Sequence, residues 1–162
     1  MKLVEYSDID CPFCANVHAT LQDLVNENNG DVAWVYRHFP LESLHSNAFG
    51  AAVATECVAD QNPDMFWPYV DALFANGVQS TPEVVLAEAE KLGSLDIERF
   101  KTCLSENKFE DLVNGQIEDA GKLGFTGTPA IVIVGPKDGQ LIPITGAQKK
   151  ETFQQAIDSL LK

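Results

Sequence analysis

LVEYSDIDCPFC, residues 3–14, joins a short hydrophobic strand to a helix that begins at a C-x-x-C motif. Residues 3–6 are predicted to form a buried strand, and residues 7–10 are predicted to form the turn that leaves it. Beyond the motif, apolar residues recur at helical spacing, at Val17, Leu21, Leu24 and Val25. A C-x-x-C motif at this kind of junction places its first sulfur over the unpaired N–H groups at the start of the helix.

The two cysteines of this motif, Cys11 and Cys14, are predicted to form a redox-active pair. The free N–H groups and the helix dipole favour a negative charge on Cys11, and Pro12 fits the first helical turn because its missing N–H is not needed there. The thiolate is the form that attacks disulfides, and C-x-x-C motifs lower this kind of pKa to roughly 3.5–7.5. We therefore expect Cys11 to be the nucleophile and Cys14 to be the resolving thiol.

Two other interpretations of the motif are half of a zinc site and an inert pair of buried cysteines. A tetrathiolate zinc site needs two further ligands, usually a second close pair. The remaining cysteines, Cys57 and Cys103, lie far apart in the sequence. We therefore expect redox chemistry and no metal.

The composition limits the other classes of function. A chain of 162 residues with 45% hydrophobic residues suits one domain, or one domain that carries an insertion. The formal net charge of −13 argues against nucleic acid and against anionic membrane surfaces, although an acidic surface commonly serves only solubility. Four cysteines are too few for a disulfide scaffold, and no apolar run approaches the length of a membrane span.

The order of predicted elements indicates an α/β fold. Strand patterns occur in four segments, helical patterns fill most of the chain between the second and third strands, and a last helix closes the chain. The predicted strands are residues 3–6, 31–39, 130–134 and 141–144. The first two strands are joined through a helix and should be parallel, and Pro143 suggests that the fourth strand lies at an edge. The prediction is a thioredoxin-like sheet (residues 1–44 and 120–162) with an inserted all-helical subdomain (residues 45–119).

Three segments together resemble the DsbA-like thiol–disulfide oxidoreductases of bacteria. They are VEYSD before CPFC (residues 4–8 and 11–14), RHFPL (residues 37–41) and FTGTPA (residues 125–130). The resemblance implies an enzyme without a cofactor that introduces disulfide bonds into unfolded or reduced secreted proteins. It also implies a membrane redox partner that reoxidises the enzyme, and we expect a monomer. Met1 leads directly into the first strand, so the chain is either cytoplasmic or has lost a signal segment. The resemblance implies a periplasmic or other extracytoplasmic protein whose signal segment was removed, with a cytoplasmic protein as the alternative.

The resemblance assigns roles to further residues. It places a buried acid at Glu5, whose pKa should rise through burial and which could exchange a proton with Cys14. The alternative is a Glu5 side chain that points to solvent at the end of the strand. The resemblance also implies a cis peptide bond between Thr128 and Pro129, which would expose the backbone of Thr128 for pairing with an extended substrate.

The same family suggests a structural disulfide between Cys57 and Cys103, since an oxidising compartment would favour it. The alternative is two free buried thiols. Strongly oxidising members carry a histidine where this chain has Phe13, so we expect a less oxidising protein with an exposed Phe13 that contacts apolar substrate segments. Three histidines could tune the site, although partly buried polar side chains of this kind more often have structural roles: His18, His38 and His45.

Three competing functions stay open at this point. One is a disulfide reductase or isomerase on the same fold, which would keep Cys11 and Cys14 reduced. Another is a non-catalytic chaperone or peptide-binding module in which the C-x-x-C motif has no function. The third is a zinc-binding protein.

Overall fold

The computed structural model describes residues 1–77 and 79–161, which form one mixed sheet surrounded by α-helices. The strands are β1 (Lys2–Ser7), β2 (Ala33–His38), β3 (Ala130–Val134) and β4 (Leu141–Thr145). The helices are α1 (Pro12–Glu27), α2 (Ala48–Gln61), α3 (Phe66–Ala75), α4 (Pro82–Lys91), α5 (Ile97–Ser105), α6 (Glu110–Lys122) and α7 (Lys150–Leu160), with a 3₁₀ turn at Pro63–Met65 before α3.

The sheet has the strand order β2-β1-β3-β4, which confirms the predicted α/β class. β1 pairs in parallel with β2, as predicted for two strands joined through a helix, and it pairs antiparallel with β3. β3 and β4 form an antiparallel hairpin in which Pro143 lies opposite Val132. Because β4 is an edge strand, the missing N–H of Pro143 leaves no gap in a central ladder.

Side chains alternate across β1, so its two faces contribute to different cores. Leu3 packs with the apolar face of α1, with β3 and with α7, in a cluster that includes Val17, Leu21, Ile133 and Phe153. On the opposite face, Tyr6 packs with Phe39, Ala120, Phe125, Ala130 and Val132. Helix α1 therefore lies directly against the strand that precedes the C-x-x-C motif.

The helices α2–α6 lie between β2 and β3 in the chain and have a core of their own, in which Tyr69 and Phe100 are fully buried. Ile9, Cys11 and Cys14 belong to the same cluster, so this helical region packs directly against the motif. Helix α6 crosses the predicted boundary at residue 119, and the division of the chain into 1–44, 45–119 and 120–162 stays a prediction. Among the helices described, none is long and apolar enough to span a membrane.

A disulfide joins Cys57 in α2 to Cys103 in α5, with an S–S distance of 1.97 Å and a sequence separation of 46. Both cysteines are buried within the core of the helical region. The bond closes a long loop in the unfolded chain and lowers the entropy of that state.

We expect the double substitution Cys57→Ala/Cys103→Ala to lower the free energy of unfolding by about 4 kcal/mol, because a loop of this length loses that much chain entropy when it is cross-linked. Urea unfolding measures this loss, with both proteins carrying Cys11→Ala so that the motif cannot form its own disulfide. Addition of dithiothreitol should remove most of the difference. Equal stabilities without dithiothreitol would show that the bond contributes nothing.

Candidate active site

Cys11 is the N-cap residue of α1, and Pro12 is the first residue of the helix. Its backbone has extended dihedral angles (φ −86°, ψ 119°), and its N–H donates to the carbonyl oxygen of Asp8 at 3.1 Å. These angles hold the Cys11 side chain at the start of the helix, where the first N–H groups have no partner within the helix. The residue is only 4% exposed, and its Sγ lies 3.7 Å from the carbonyl oxygen of Thr128.

The pKa of Cys11 is lowered to about 5. The largest cause is a hydrogen bond from the Cys14 thiol, which outweighs the opposing effect of burial. Hydrogen bonds from Thr128 and from the backbone N–H groups of Phe13 and Cys14 lower it further. The sequence argument relied on the backbone N–H groups, and the structure adds the neighbouring thiol as the main donor.

Cys14 lies one helical turn further on and is completely buried. Burial raises its pKa, and the nearby Cys11 sulfur raises it further because two adjacent negative charges repel each other. The backbone N–H of Asp8 donates to Cys14 Sγ at 3.5 Å. The two cysteines are free thiols in this structure, so the pair combines an ionised Cys11 with a protonated Cys14.

Glu5 is fully buried in the middle of β1, which excludes the alternative of a solvent-facing side chain. Burial raises its pKa to about 7, while the nearby Ser7 hydroxyl and Trp34 indole act in the opposite direction. The indole Nε1–H of Trp34 donates to Glu5 Oε2 at 3.0 Å. A carboxyl group with this pKa can release or accept a proton near neutral pH.

Two further acids anchor the loop between β1 and Cys11, and the sequence argument did not identify them. The Asp8 carboxylate accepts hydrogen bonds of 2.8 Å from three groups: the backbone N–H groups of Asp10 and Leu41 and the Nδ1–H of His45. Asp10 Oδ1 accepts from both the N–H and the hydroxyl of Ser80, which precedes α4. The sequence contained a signal for buried carboxylates here, because Asp8 and Asp10 flank the apolar residue Ile9. In the structure Ile9 is buried.

The three histidines lie in different surroundings. His45 is beside the site: burial acts to lower its pKa, but the hydrogen bond and charge of Asp8 outweigh burial and raise it. His18 Nε2 bonds to Asp71 at 2.6 Å, and its ring lies 4.9 Å from that of Trp34. His38 Nε2 bonds to Glu56 at 2.8 Å. His18 and His38 therefore connect the sheet and α1 to the helical region.

The loop before β3 lies opposite the motif, and the peptide bond between Thr128 and Pro129 is cis. Pro129 is buried, and the carbonyl oxygen of Thr128 faces Cys11. Phe13, by contrast, is 62% exposed. The structure thus brings Glu5, Cys11, Pro12, Phe13, Cys14, Thr128 and Pro129 into one region, and it places Cys57 and Cys103 in the core of the helical region.

No group of three or more histidine, cysteine or acidic side chains in the described part of the chain has an arrangement that could hold a metal ion. Cys57 and Cys103 are bonded to each other and cannot supply thiolates to Cys11 and Cys14.

We expect reduced protein to show a thiolate absorbance transition with a midpoint near pH 5, from Cys11 alone. Cys11→Ala should abolish this transition. Cys14→Ala should raise the midpoint, because it removes the S–H donor that contributes most to the low pKa. A midpoint near the value of about 8.5 for free cysteine would contradict this assignment.

The raised pKa of Glu5 predicts a pH-dependent stability. The folded state holds the Glu5 proton more tightly than the unfolded state, so stability falls as the pH rises from below 4.5 to above 7, by about 3 kcal/mol in total. Relative to wild type, Glu5→Gln should therefore be more stable at pH 8 than at pH 4 by that amount, measured by urea unfolding. The exposed control Glu106→Gln should not change the pH dependence, and a Glu5→Gln variant that follows the wild-type curve would refute the prediction.

Comparison with known proteins places this chain in a family. The family model described as thioredoxin matches residues 1–159. The crystal structure of Pseudomonas aeruginosa DsbA2 superposes with a TM-score of 0.80, covers 98% of this chain and 87% of that chain, and is 30% identical in sequence. The probable disulfide bond formation protein D of Bacillus cereus is 29% identical over 144 residues, which are 83% of this chain and 66% of that protein.

The chain is also 31% identical, over 135 residues, to Na(+)/H(+) antiporter NhaA 1 of Salinispora arenicola. The match covers 83% of this chain but only 20% of the antiporter, so the chain spans about a fifth of the length of that relative. The matched segment of the antiporter is therefore similar in sequence to most of this chain. The chain belongs to the thioredoxin family and, within it, to the DsbA-like thiol–disulfide oxidoreductases.

Proposed function

We propose that the protein introduces disulfide bonds into secreted proteins by exchange with a Cys11–Cys14 disulfide. The observation that carries this proposal is the placement of the two thiols: Cys11 lies at the start of α1, 3.7 Å from the Thr128 carbonyl oxygen, and Cys14 is buried one turn further on. This placement lowers the pKa of Cys11 to about 5 and raises the pKa of Cys14. A thiol of low pKa is a good leaving group, so the reduced pair is favoured and its disulfide is readily given up.

The reaction begins when a substrate thiolate attacks Cys11 Sγ of the oxidised pair. The substrate–Cys11 disulfide forms, the Cys11–Cys14 bond breaks, and Cys14 takes up a proton. A second substrate thiolate then attacks the substrate sulfur of the mixed disulfide and displaces Cys11 as a thiolate. The substrate has lost two electrons, and the Cys11–Cys14 pair has gained them. In the reverse direction, Cys14 is the thiol that attacks Cys11 and releases the bound partner.

Glu5 supports the proton balance of this cycle. Its pKa of about 7 allows it to be protonated before Cys14 leaves the disulfide and ionised when Cys14 must lose its proton. The carbonyl oxygen of Thr128 is 3.7 Å from Cys11 Sγ, and we propose that the backbone of Thr128 pairs with an extended substrate there. The exposed ring of Phe13 offers an apolar contact beside the reactive sulfur.

We propose an oxidising location outside the cytoplasm and a membrane redox partner that removes the electrons from the reduced pair. The Cys57–Cys103 disulfide supports this, because structural disulfides persist mainly in oxidising compartments. The name of the Bacillus cereus relative refers to disulfide bond formation. In this proposal the chain acts as a monomer on unfolded or reduced proteins and uses no cofactor.

A disulfide reductase is the second candidate, and Phe13 favours it. A histidine in this position would add a donor for the Cys11 thiolate, whereas phenylalanine adds none. With a less stabilised Cys11 thiolate, the Cys11–Cys14 disulfide is reduced less readily. The reduction potential separates the two functions, since a value near the roughly −270 mV of thioredoxin, about 150 mV below that of DsbA, would favour the reductase.

We expect the oxidised protein to convert a reduced model peptide with two cysteines to its disulfide form, measured by the loss of free thiols. Cys11→Ala should abolish this activity because no mixed disulfide can form. Phe13→His should shift the equilibrium with glutathione towards the reduced protein, by about tenfold, since it stabilises the Cys11 thiolate. The Cys57→Ala/Cys103→Ala variant is the control and should keep the activity at a temperature where it is folded.

Activity that persists in Cys11→Ala would refute the catalytic assignment and favour the chaperone alternative. A wild-type potential near that of thioredoxin, together with no peptide oxidation, would favour the reductase.

A further inference from the structure

Three buried oxygen atoms beneath the C-x-x-C motif have no hydrogen-bond partner among the described residues. They are Glu5 Oε1, Ser7 Oγ and Tyr36 Oη. A buried polar atom without a partner costs free energy, so such atoms in a folded protein call for an explanation. Three of them in one place point to a group of side chains that exchange partners or protons.

The strand geometry places these oxygens together. Glu5 and Ser7 are two residues apart on β1 and therefore point to the same face of the sheet, the face covered by α1. Tyr36 lies directly opposite Glu5 on the neighbouring strand β2. Ser7 is only 1% exposed, and Glu5 is completely buried.

The Cys14 sulfur lies at the Ser7 end of this group. The backbone N–H of Asp8, the residue after Ser7, donates to Cys14 Sγ at 3.5 Å. The other oxygen of Glu5 is held by the indole of Trp34 at 3.0 Å, which fixes the carboxyl group two residues before Ser7. Along the strand, Ser7 therefore lies between the carboxyl group of Glu5 and the thiol of Cys14.

The electrostatics agree with this arrangement. Burial raises the pKa values of Glu5, Cys14 and Tyr36, and in all three cases the Ser7 hydroxyl opposes the rise. One hydroxyl thus stabilises the charged forms of three different neighbours. A serine hydroxyl can rotate, and it can accept one proton while it donates its own.

We propose that the Ser7 hydroxyl carries the proton between Glu5 and Cys14, and that the Tyr36 phenol holds this hydroxyl in position. The inference rests on the proposed function, in which Cys14 changes its protonation state. When Cys14 attacks Cys11 in a mixed disulfide, the Cys14–Cys11 bond forms and the bond from Cys11 to the partner sulfur breaks. The Cys14 proton passes to Ser7 Oγ, the Ser7 proton passes to Glu5, and the partner leaves as a thiolate.

Other titratable groups surround this proton path from Cys14 through Ser7 to Glu5, and the test variants must leave these groups unchanged. They are Asp8 after β1, His38 on β2 with its partner Glu56 on α2, Cys11 at the N-cap of α1, and His18 within α1. Asp8 and His38 have protein partners of their own, at 2.8 Å in each case. The test therefore changes only Ser7, Tyr36 and Glu5.

The experiment follows a single Cys14 reaction. Reduced protein is loaded on Cys11 with thionitrobenzoate, and the attack of Cys14 releases the coloured thionitrobenzoate anion. The wild-type rate should rise with pH to a plateau, with a midpoint near 7, as Glu5 becomes able to accept the proton. Ser7→Ala should lower the plateau rate by about tenfold to a hundredfold and replace the plateau by a rate that keeps rising with pH.

The other variants identify the relay. Glu5→Gln should have the same effect as Ser7→Ala, and the double variant should show no additional loss because both residues serve one path. Tyr36→Phe should lower the plateau several-fold and keep the midpoint. Tyr69→Phe removes a buried phenol hydroxyl that donates to the Val85 carbonyl in the helical region, and it should leave the rate profile unchanged.

A Ser7→Ala profile that keeps the wild-type plateau would overturn the proposal, and Glu5 would then act on Cys14 without Ser7. Equal losses in Tyr36→Phe and Tyr69→Phe would show a general effect of phenol removal and would also overturn the role of Tyr36. The proposed function is tested separately by peptide oxidation, which a slow Cys14 step delays but does not abolish. If Ser7→Ala does not fold, the rate profiles of Tyr36→Phe and Glu5→Gln are compared with that of Tyr69→Phe. Losses in the first two variants and none in Tyr69→Phe would support the relay, and any other result would overturn it.

Discussion

The hydrogen bond from the buried Cys14 thiol to the Cys11 thiolate is the interaction on which the site depends. It makes the largest contribution to the low pKa of Cys11, and it requires that Cys14 stays protonated. Complete burial of Cys14 meets this requirement, because ionisation without solvent is costly. The fold therefore produces two different thiols from two identical side chains three residues apart.

This arrangement requires a fixed loop between β1 and α1, and buried carboxylates supply it. Asp8 binds two backbone N–H groups and His45, and Asp10 binds Ser80. These contacts tie the segment before Cys11 both to the chain that follows β2 and to the helical region. A carboxylate with several donors is stable in a buried position, whereas an unpaired one would not be.

The helical region contributes to the chemistry through packing. Cys11, Cys14 and Ile9 share one hydrophobic cluster with α2–α6, so these helices exclude water from the thiol pair. Low polarity in turn strengthens the hydrogen bonds and charges within the site. Glu5 and Ser7 lie close to this water-poor region, on the face of β1 that α1 covers, and both are buried there.

Much of this protein follows from local sequence. The spacing of apolar residues predicted the helices, the strands and the α/β class. Two prolines added to this prediction: Pro12 marked the start of α1, and Pro143 marked an edge strand. Each of these signals depends on residues that are close together in the chain. The direction of the Cys11 pKa shift was also predictable, because helix N–H groups are a local feature, although the Cys14 thiol makes the larger contribution. The partners of Glu5, Asp8 and Asp10 were not, since Trp34, His45 and Ser80 lie 29 to 70 positions away and their contacts arise only when β1, β2 and the helical region pack together.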